Sequence, residues 1–381
     1  MEAIYDRSNG RVVSRHQMMR KYRFSVVMKH HYLALLIIPA LISCGTAHKA
    51  ISIRTLTVDK LGVDVGVDEN REYSYTDKKA GFWYGRTHQD SPTDWYAGWN
   101  QAKRRILSDY TLMVDGKVLA RKEAQVCVYP DRLERRWPVT TETLSMVDNR
   151  ELLSIIVDEV KGDSIGIVLN ETLLKDAVHR KDALCYTPQE SEKKRLKLVP
   201  LHPVMVSFCG NRMQVPASAG GFLIAYGTEE HCDSLIAGYR KEGNRWQAGR
   251  KARMDSLIMV SNPLHTNLPE LDKAVDWITL TMDELITEQQ GKGIYAGLPW
   301  FNEYWGRDMF IAMPGATLVT GQFEVTKEIL KDFAQLQDRD TASVTCGRIP
   351  NRANLEDILY NTADGTPPLC HRGRGAASLF G

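Results

Sequence analysis

The chain has 381 residues, 43% of them apolar and 25% charged, with a formal net charge of +2. That length allows roughly two to three domains of about 100–200 residues, and the mix excludes a wholly disordered, collagen-like or polytopic membrane protein. A charge so near zero gives no strong field and no case for a nucleic-acid partner; eight Trp and fifteen Tyr suit carbohydrate stacking without requiring it.

Residues 1–27 are polar and basic and precede an internal methionine, Met28. From there Lys29-His30-His31 leads into the apolar run Tyr32–Ile42 and then Ser43-Cys44-Gly45. A basic start, a short apolar core and small residues at its end make a secretory signal, and the run is too short for a membrane span of about 20 residues. Leu41-Ile42-Ser43-Cys44 resembles the lipobox of bacterial lipoproteins, which implies that Cys44 is acylated and becomes the mature N-terminus. A cleaved signal with an incidental cysteine is the alternative. On the lipobox reading residues 1–27 are upstream sequence from a misplaced start, and residues 28–44 are the signal. The protein is then exported, periplasmic or outer-membrane anchored, and touches the membrane through its lipid only. The other cysteines form no Cys-x-x-Cys pair and no zinc spacing, so buried free thiols are expected.

The β-rich stretch 45–262 comes next. Short runs of Val, Ile, Leu, Thr and Tyr alternate with turn signals. Thr111–Val114 and Lys117–Ala120 flank Asp115-Gly116, the two-residue signature of a tight hairpin. Leu152–Val160 and Ile165–Leu169 repeat the pattern with a longer loop, and Val204–Phe208 and Gly221–Tyr226 read as further strands. Such spacing predicts a β-sandwich, interrupted by one helix around Tyr96–Leu107.

Between Asn262 and Glu270 the character changes. Thr266-Asn267-Leu268-Pro269-Glu270 has the cap residue, proline and acid of a helix start. Leu271, Ala274, Val275, Ile278, Met282, Leu285 and Ile286 recur in steps of three and four and predict one buried helical face. Further helices are predicted over about Met309–Thr320 and Gln322–Leu336.

Irregular segments between these helices carry the chemistry. The first runs Gly293-Ile294-Tyr295-Ala296-Gly297-Leu298-Pro299-Trp300-Phe301-Asn302-Glu303-Tyr304-Trp305-Gly306-Arg307-Asp308. Aromatic faces pack the C–H surface of a sugar, while an Arg fork and a carboxylate bind its hydroxyls. The second is Gly347-Arg348-Ile349-Pro350-Asn351-Arg352, and the third is Tyr360-Asn361-Thr362-Ala363-Asp364-Gly365-Thr366-Pro367.

These three segments, in this order, resemble the C-terminal domain of glycogen debranching enzymes, the amylo-α-1,6-glucosidase part, over about Asn267–Pro367. The resemblance implies a six-hairpin (α/α)6 barrel, here the N-terminal part of one over residues 263–367, behind an N-terminal β-sandwich. It implies an α-glucan substrate (glycogen or a branched maltodextrin), no cofactor and no metal, and removal of α-1,6-linked glucose with inversion. By position, Asp364 matches the general acid, whose pKa must be raised to keep its proton near neutrality. Arg307 and Asp308 match the pair that holds sugar hydroxyls in the −1 subsite. Trp300, Trp305 and Tyr304 are candidates for stacking or shaping that subsite, Asn351 and Arg352 for shaping its mouth, and Tyr360 and Asn361 for positioning Asp364.

Ordinary structural readings compete. Trp300, Phe301 and Trp305 also fit a core, Arg307–Asp308 an ion pair, and Asp364 before glycine a turn. Three ordered segments together favour the chemical reading for Arg307, Asp308 and Asp364, less for Trp300 and hardly for Asn351. Trp83-Tyr84 and Trp95-Tyr96-x-x-Trp99 suit sandwich core and interdomain packing better than a starch-binding surface. Another barrel enzyme, an exo-α-glucosidase or trehalase-like hydrolase, and a non-enzymatic glycan-binding lipoprotein are the alternatives.

The C-terminus departs from the family. Inversion needs a second carboxylate on the opposite face, which the family supplies far downstream, whereas only about 110 residues follow Leu271. Pro368-Leu369-Cys370-His371-Arg372-Gly373-Arg374-Gly375 stands where an amphipathic helix belongs. Residues 368–381 read as a frameshifted tail: suitable codons for His371–Phe380, read one base over, spell an amphipathic peptide. A truncated chain with little hydrolytic activity, and with helix faces short of packing partners, is therefore expected.

Overall fold

The computed structural model describes residues 3–6, 11–14, 57–170, 174–188, 193–261, 266–362 and Thr366. The expected signal segment with Cys44, the expected general acid Asp364 and the stretch 368–381 lie outside the described residues. The chain divides into two compact units, residues 1–53 and 54–381. In the first, Ala3–Asp6 pairs antiparallel with Arg11–Ser14.

The second unit opens with three antiparallel sheets. The largest has nine strands, in the order Leu174–Arg180, Ala183–Pro188, Arg195–Pro200, Gly221–Gly227, Leu152–Asp158, Thr140–Met146, Leu133–Trp137, Gln125–Val128 and Val63–Val65. A five-stranded sheet orders Ser207–Cys209, Arg212–Pro216, Ser164–Leu169, Tyr110–Val114 and Lys117–Val118, and a four-stranded one runs from Glu72–Thr76 through Gly81–Arg86 and Gly98–Gln101 to Arg104–Leu107. Alternation explains the layering. Leu144, Met146, Leu153 and Ile155 of the large sheet meet Ile165, Ile167 and Leu169 of the second and Trp83, Trp99 and Leu107 of the third in one core. Each such fully buried side chain contributes roughly 1.5–3 kcal/mol.

Two local expectations are corrected here. The stretch Tyr96–Leu107 is a strand pair, not a helix, because Gly98 and Ala102 take positive φ (94° and 53°) and turn the chain. Leu152–Asp158 and Ser164–Leu169 are strands but not partners: the first joins the nine-stranded sheet and the second the five-stranded one. The Asp115-Gly116 hairpin forms, with φ of 47° and 75° at its two central residues.

A helix falls inside the stretch expected to be mostly β. Helix α1, Glu229–Ser261, lays Cys232, Leu235, Ile236 and Tyr239 on Leu152, Cys185, Leu223 and Ala225 of the large sheet. The central strands are thereby buried on both faces, which is why they read as continuous apolar runs. Among the described cysteines, Cys185 and Cys232 are buried free thiols and Cys209 and Cys346 are exposed ones.

Helix α2, Pro269–Leu285, turns the predicted face outward. Leu271, Val275 and Ile278 are 48%, 37% and 63% exposed, while Asp272, Asp276, Asp283 and Glu284 are buried. Charge explains the inversion. Arg250 on α1 donates to Glu284 at 2.7 Å and pairs with Asp148, and Glu284 also accepts from the Thr76 amide at 2.9 Å. Asp283 pairs with Arg253 and with Lys78. Only the C-terminal end of the predicted stripe, Met282, Leu285 and Ile286, joins a core.

That core belongs to a further five-stranded antiparallel sheet, in the order Ile286–Glu288, Lys292–Gly297, Phe301–Trp305, Arg352–Ala353 and Ile358–Leu359. Helix α3, Gly306–Met313, continues through a π-helical turn at Pro314–Leu318, and helix α4 spans Phe323–Gln335. Both pack on the sheet through Met309, Phe310, Met313, Ile329 and Phe333, with Phe310 and Phe333 edge to face at 5.5 Å. The order of β-sheets first and helices later is therefore as read. Over the described part of 263–367 the helices lean on this sheet. No described helix is long and apolar enough to cross a membrane.

Candidate functional site

The small sheet brings the three motif segments together. Tyr304 pairs with Ala353 and Trp305 with Arg352, joining the first segment to the second. The Gly306 amide then donates to the Asn351 carbonyl at 2.7 Å, and the Asn351 amide to the Leu359 carbonyl at 2.8 Å. Gly306 is required at this crossing, since a Cβ there would lie 2.5 Å from the Pro350 carbonyl oxygen. The second and third segments are laced further. Asn351 Nδ2 donates to Asn361 Oδ1 at 3.3 Å, the Ile349 amide to Thr366 Oγ1 at 3.0 Å, and Arg348 to the Tyr360 carbonyl at 3.4 Å.

Around this crossing the predicted residues separate into two sets. Arg307 and Asp308 are exposed in the first turn of α3, directly after Gly306. Trp300 and Phe301 are 54% and 55% exposed. Trp305 lies half-buried with the Arg352 guanidinium 5.9 Å from its ring and Phe301 edge to face at 6.5 Å. Tyr304, by contrast, is buried in the core beside Tyr295 and Phe333, and its hydroxyl donates to the Thr287 carbonyl at 2.7 Å. Burial pushes the Tyr304 hydroxyl well above the ordinary tyrosine range. Asn351 is buried, Asn361 is exposed, and the Tyr360 hydroxyl donates to the Leu336 carbonyl at 2.7 Å.

A charged network that the motifs did not single out supports the mouth. Glu303 is 8% exposed and receives Lys103 at 2.5 Å and Asn354 Nδ2 at 2.8 Å, with Arg352 Nε at 3.9 Å. Arg352 also pairs with Asp357 at 2.6 Å. Hydrogen bonding from Asn354, then the nearby Arg352 charge, hold the Asp357 carboxyl below its usual value. Glu303 stood inside the first motif, but Lys103 comes from the tip of the distant Gly98–Leu107 strand pair and has no local signal.

Four buried polar atoms in the motif segments make no hydrogen bond among the described residues: Trp305 Nε1, Asn351 Oδ1, Arg352 Nε and Thr362 Oγ1. A separate cleft of 430 Å³, between Lys78, Arg253, Asp283 and Lys292, contains none of the predicted residues.

Residues 254–366 match the family model described as Amylo-alpha-1,6-glucosidase. The matched stretch holds the first two segments and the third up to Thr366, and so points to glycosidase chemistry in general. No curated protein matches the chain.

Proposed function

We propose that the chain carries the acid and hydroxyl-binding part of a glycoside hydrolase of α-glucan breakdown, one that hydrolyses α-1,6-linked glucose at branch points with inversion and is at most weakly active as this chain, on an (α/α)6 framework of which residues 263–367 are the first part. Asp364 protonates the glycosidic oxygen, Arg307 and Asp308 hold hydroxyls of the departing glucose, and Trp305 with Arg352 closes the side of the sugar ring. One observation carries the reading. Asn361 and Thr366, described residues on either side of Asp364, both bond to the Ile349–Asn351 strip. That strip receives the Gly306 amide next to Arg307 and Asp308. The described residues on either side of the proposed acid and the residue before the proposed hydroxyl-binding pair thus rest on the same strip, which supports the reading.

Inversion also needs a carboxylate that activates water from the opposite face. Glu303 and Asp357 are already engaged by Lys103, Asn354 and Arg352, so we assign neither of them as the base. Lipid anchoring at Cys44 in an exported protein completes the proposal, carried by Leu41-Ile42-Ser43-Cys44 alone and tested by labelling with a radioactive fatty acid.

The test is glucose release from a branched limit dextrin, with maltose and trehalose as comparison substrates and the first-formed anomer read by NMR. Release from the dextrin as the β-anomer, lost in Asp364→Asn while dextrin binding stays within about twofold, supports the assignment. An Asp364→Asn variant that turns over like the unmodified chain overturns it.

A further inference from the structure

The aromatic residues Trp95 and Tyr96 leave the role expected for their stretch in an unequal way. Trp83 and Trp99 are 1% and 0% exposed and belong to the shared core of the sheets. Tyr96 is also buried, with Tyr84 edge to face at 4.8 Å and Leu298 of the first motif packed on their cluster. Trp95, one residue earlier, is 64% exposed. Trp300, 54% exposed, meets the Tyr96 ring edge to face at 5.6 Å, and Trp95 meets the same ring at 5.2 Å. Two exposed indoles from distant parts of the chain are therefore mounted on one buried tyrosine.

The mount is stiff. Arg86 Nε donates to Asp94 Oδ2 at 3.1 Å, Arg105 to the Asp94 carbonyl at 2.9 Å, and the Ala97 amide to the same carbonyl at 3.0 Å. The residue before Trp95 is thus fixed by three bonds, so ligand binding need not order it first. Phe301, next to Trp300 in the chain and equally exposed, meets Trp305 edge to face at 6.5 Å, two residues before Arg307.

We propose that Trp95 and Trp300, both seated against Tyr96, form a glucan-chain ledge on the approach to the motif site, with Trp95 stacking a sugar remote from the bond to be cleaved. The occupant is an α-glucan chain, because flat, rigid aromatic faces pack the C–H surface of a pyranose. The ledge rests on the glucan-hydrolysing reading above and extends it to chain length.

Calorimetric titration of the full chain with maltotriose and maltoheptaose tests it, on unmodified protein, Trp95→Ala and Trp95→Phe. The expected result is a five- to tenfold loss of maltoheptaose affinity in Trp95→Ala, less than a twofold change for maltotriose, and recovery to within about twofold in Trp95→Phe. Equal maltoheptaose binding by unmodified protein and Trp95→Ala overturns the ledge and leaves the underlying reading standing, as does an equal loss for both sugars. Failure of unmodified protein to bind either sugar overturns both.

Discussion

Lys103 Nζ and Glu303 Oε1 stand 2.5 Å apart, joining the tip of a strand pair in the β-rich region to the strand that carries the first motif. The contact is reinforced by neighbours on both sides. Asn302 Nδ2 donates to the Ala102 carbonyl at 2.8 Å, and Arg104 pairs with Glu356 at 3.3 Å. Glu303 is the more buried partner and also faces Arg352, so this carboxylate ties the β-rich region to the candidate site.

Lys103→Met should lower stability by about 1 kcal/mol, because an ion pair whose lysine is a third exposed is worth little by itself and the cost lies mainly in leaving Glu303 less well paired. Urea denaturation measures it. Adding Glu303→Gln, which removes the stranded charge and keeps an acceptor for Asn354, should regain part of the loss, and a Lys103→Met midpoint equal to that of the unmodified protein would show the contact to be idle.

Legibility in the sequence tracked how local the cause was. The Asp115-Gly116 hairpin was readable because a two-residue turn with positive φ needs those residue types. The three motif segments were readable as a set, but not the sheet that joins them, since Tyr304 finds Ala353 only through tertiary pairing. Helix α1 was not readable, because its buried stripe passes through Cys232, Gly243 and Arg250 and so breaks the apolar period. The outer face of α2 was misread for the converse reason: the stripe is real, but Arg250, Arg253 and Lys78 pull the acidic side inward.

Arg250 is the centre of that inward pull. It is 2% exposed and engages Asp148, Glu284 and the Thr76 carbonyl together. Arg250→Met should cost roughly 3–5 kcal/mol, the range for a buried pair that loses one partner. Adding Glu284→Met should return part of it, since the stranded carboxylate is then removed. If the double variant is less stable than the sum of its singles, read from urea midpoints, the desolvation argument fails.

Asp77 should make stability fall as pH rises. Burial pushes its carboxyl up to about 7, against hydrogen bonds from the Lys79 and Gly81 amides and from Gln101. The unfolded chain releases this proton near pH 4, so between about 4 and 7 the folded state binds more protons and is progressively disfavoured. Asp148 and Asp283 act in the opposite sense. Burial alone would raise them, but the cationic groups Arg250, Arg253 and Lys78 hold both below the usual value, so their contribution is lost as pH falls below about 4. The difference in unfolding free energy between unmodified protein and Asp77→Asn should therefore shift toward the variant from pH 4.5 to 7.5; parallel curves would refute the assignment.

The exposed face of α2 has a colloidal consequence. Leu271, Val275 and Ile278 present adjacent apolar surface, with Leu268 next to them at 56% exposure. A contiguous patch of this kind promotes association. The chain should self-associate in sedimentation and bind a hydrophobic dye, and Val275→Lys with Ile278→Lys should reduce both while changing stability by no more than about 0.5 kcal/mol. Dye binding that is unaltered in this variant would place the sticky surface elsewhere.

Gly306 tests whether the crossing of the motif segments matters to sugar recognition. A methyl group there meets the Pro350 carbonyl oxygen at 2.5 Å, too close for either backbone to stay in place, and threatens the 2.7 Å bond to the Asn351 carbonyl. Gly306→Ala should cost about 1–3 kcal/mol through overpacking. Gly315→Ala is the matched control, because its Cβ would meet nothing within 4 Å and alanine gains up to about 1 kcal/mol of helix propensity. Arg307 and Asp308 follow Gly306 directly, so displacing that backbone also moves the proposed hydroxyl-binding pair. Dextrin affinity, measured where both variants are fully folded, should fall at least fivefold in Gly306→Ala and stay within twofold in Gly315→Ala. Equal affinities with the expected stability loss would mean that the crossing holds the fold together without setting the site.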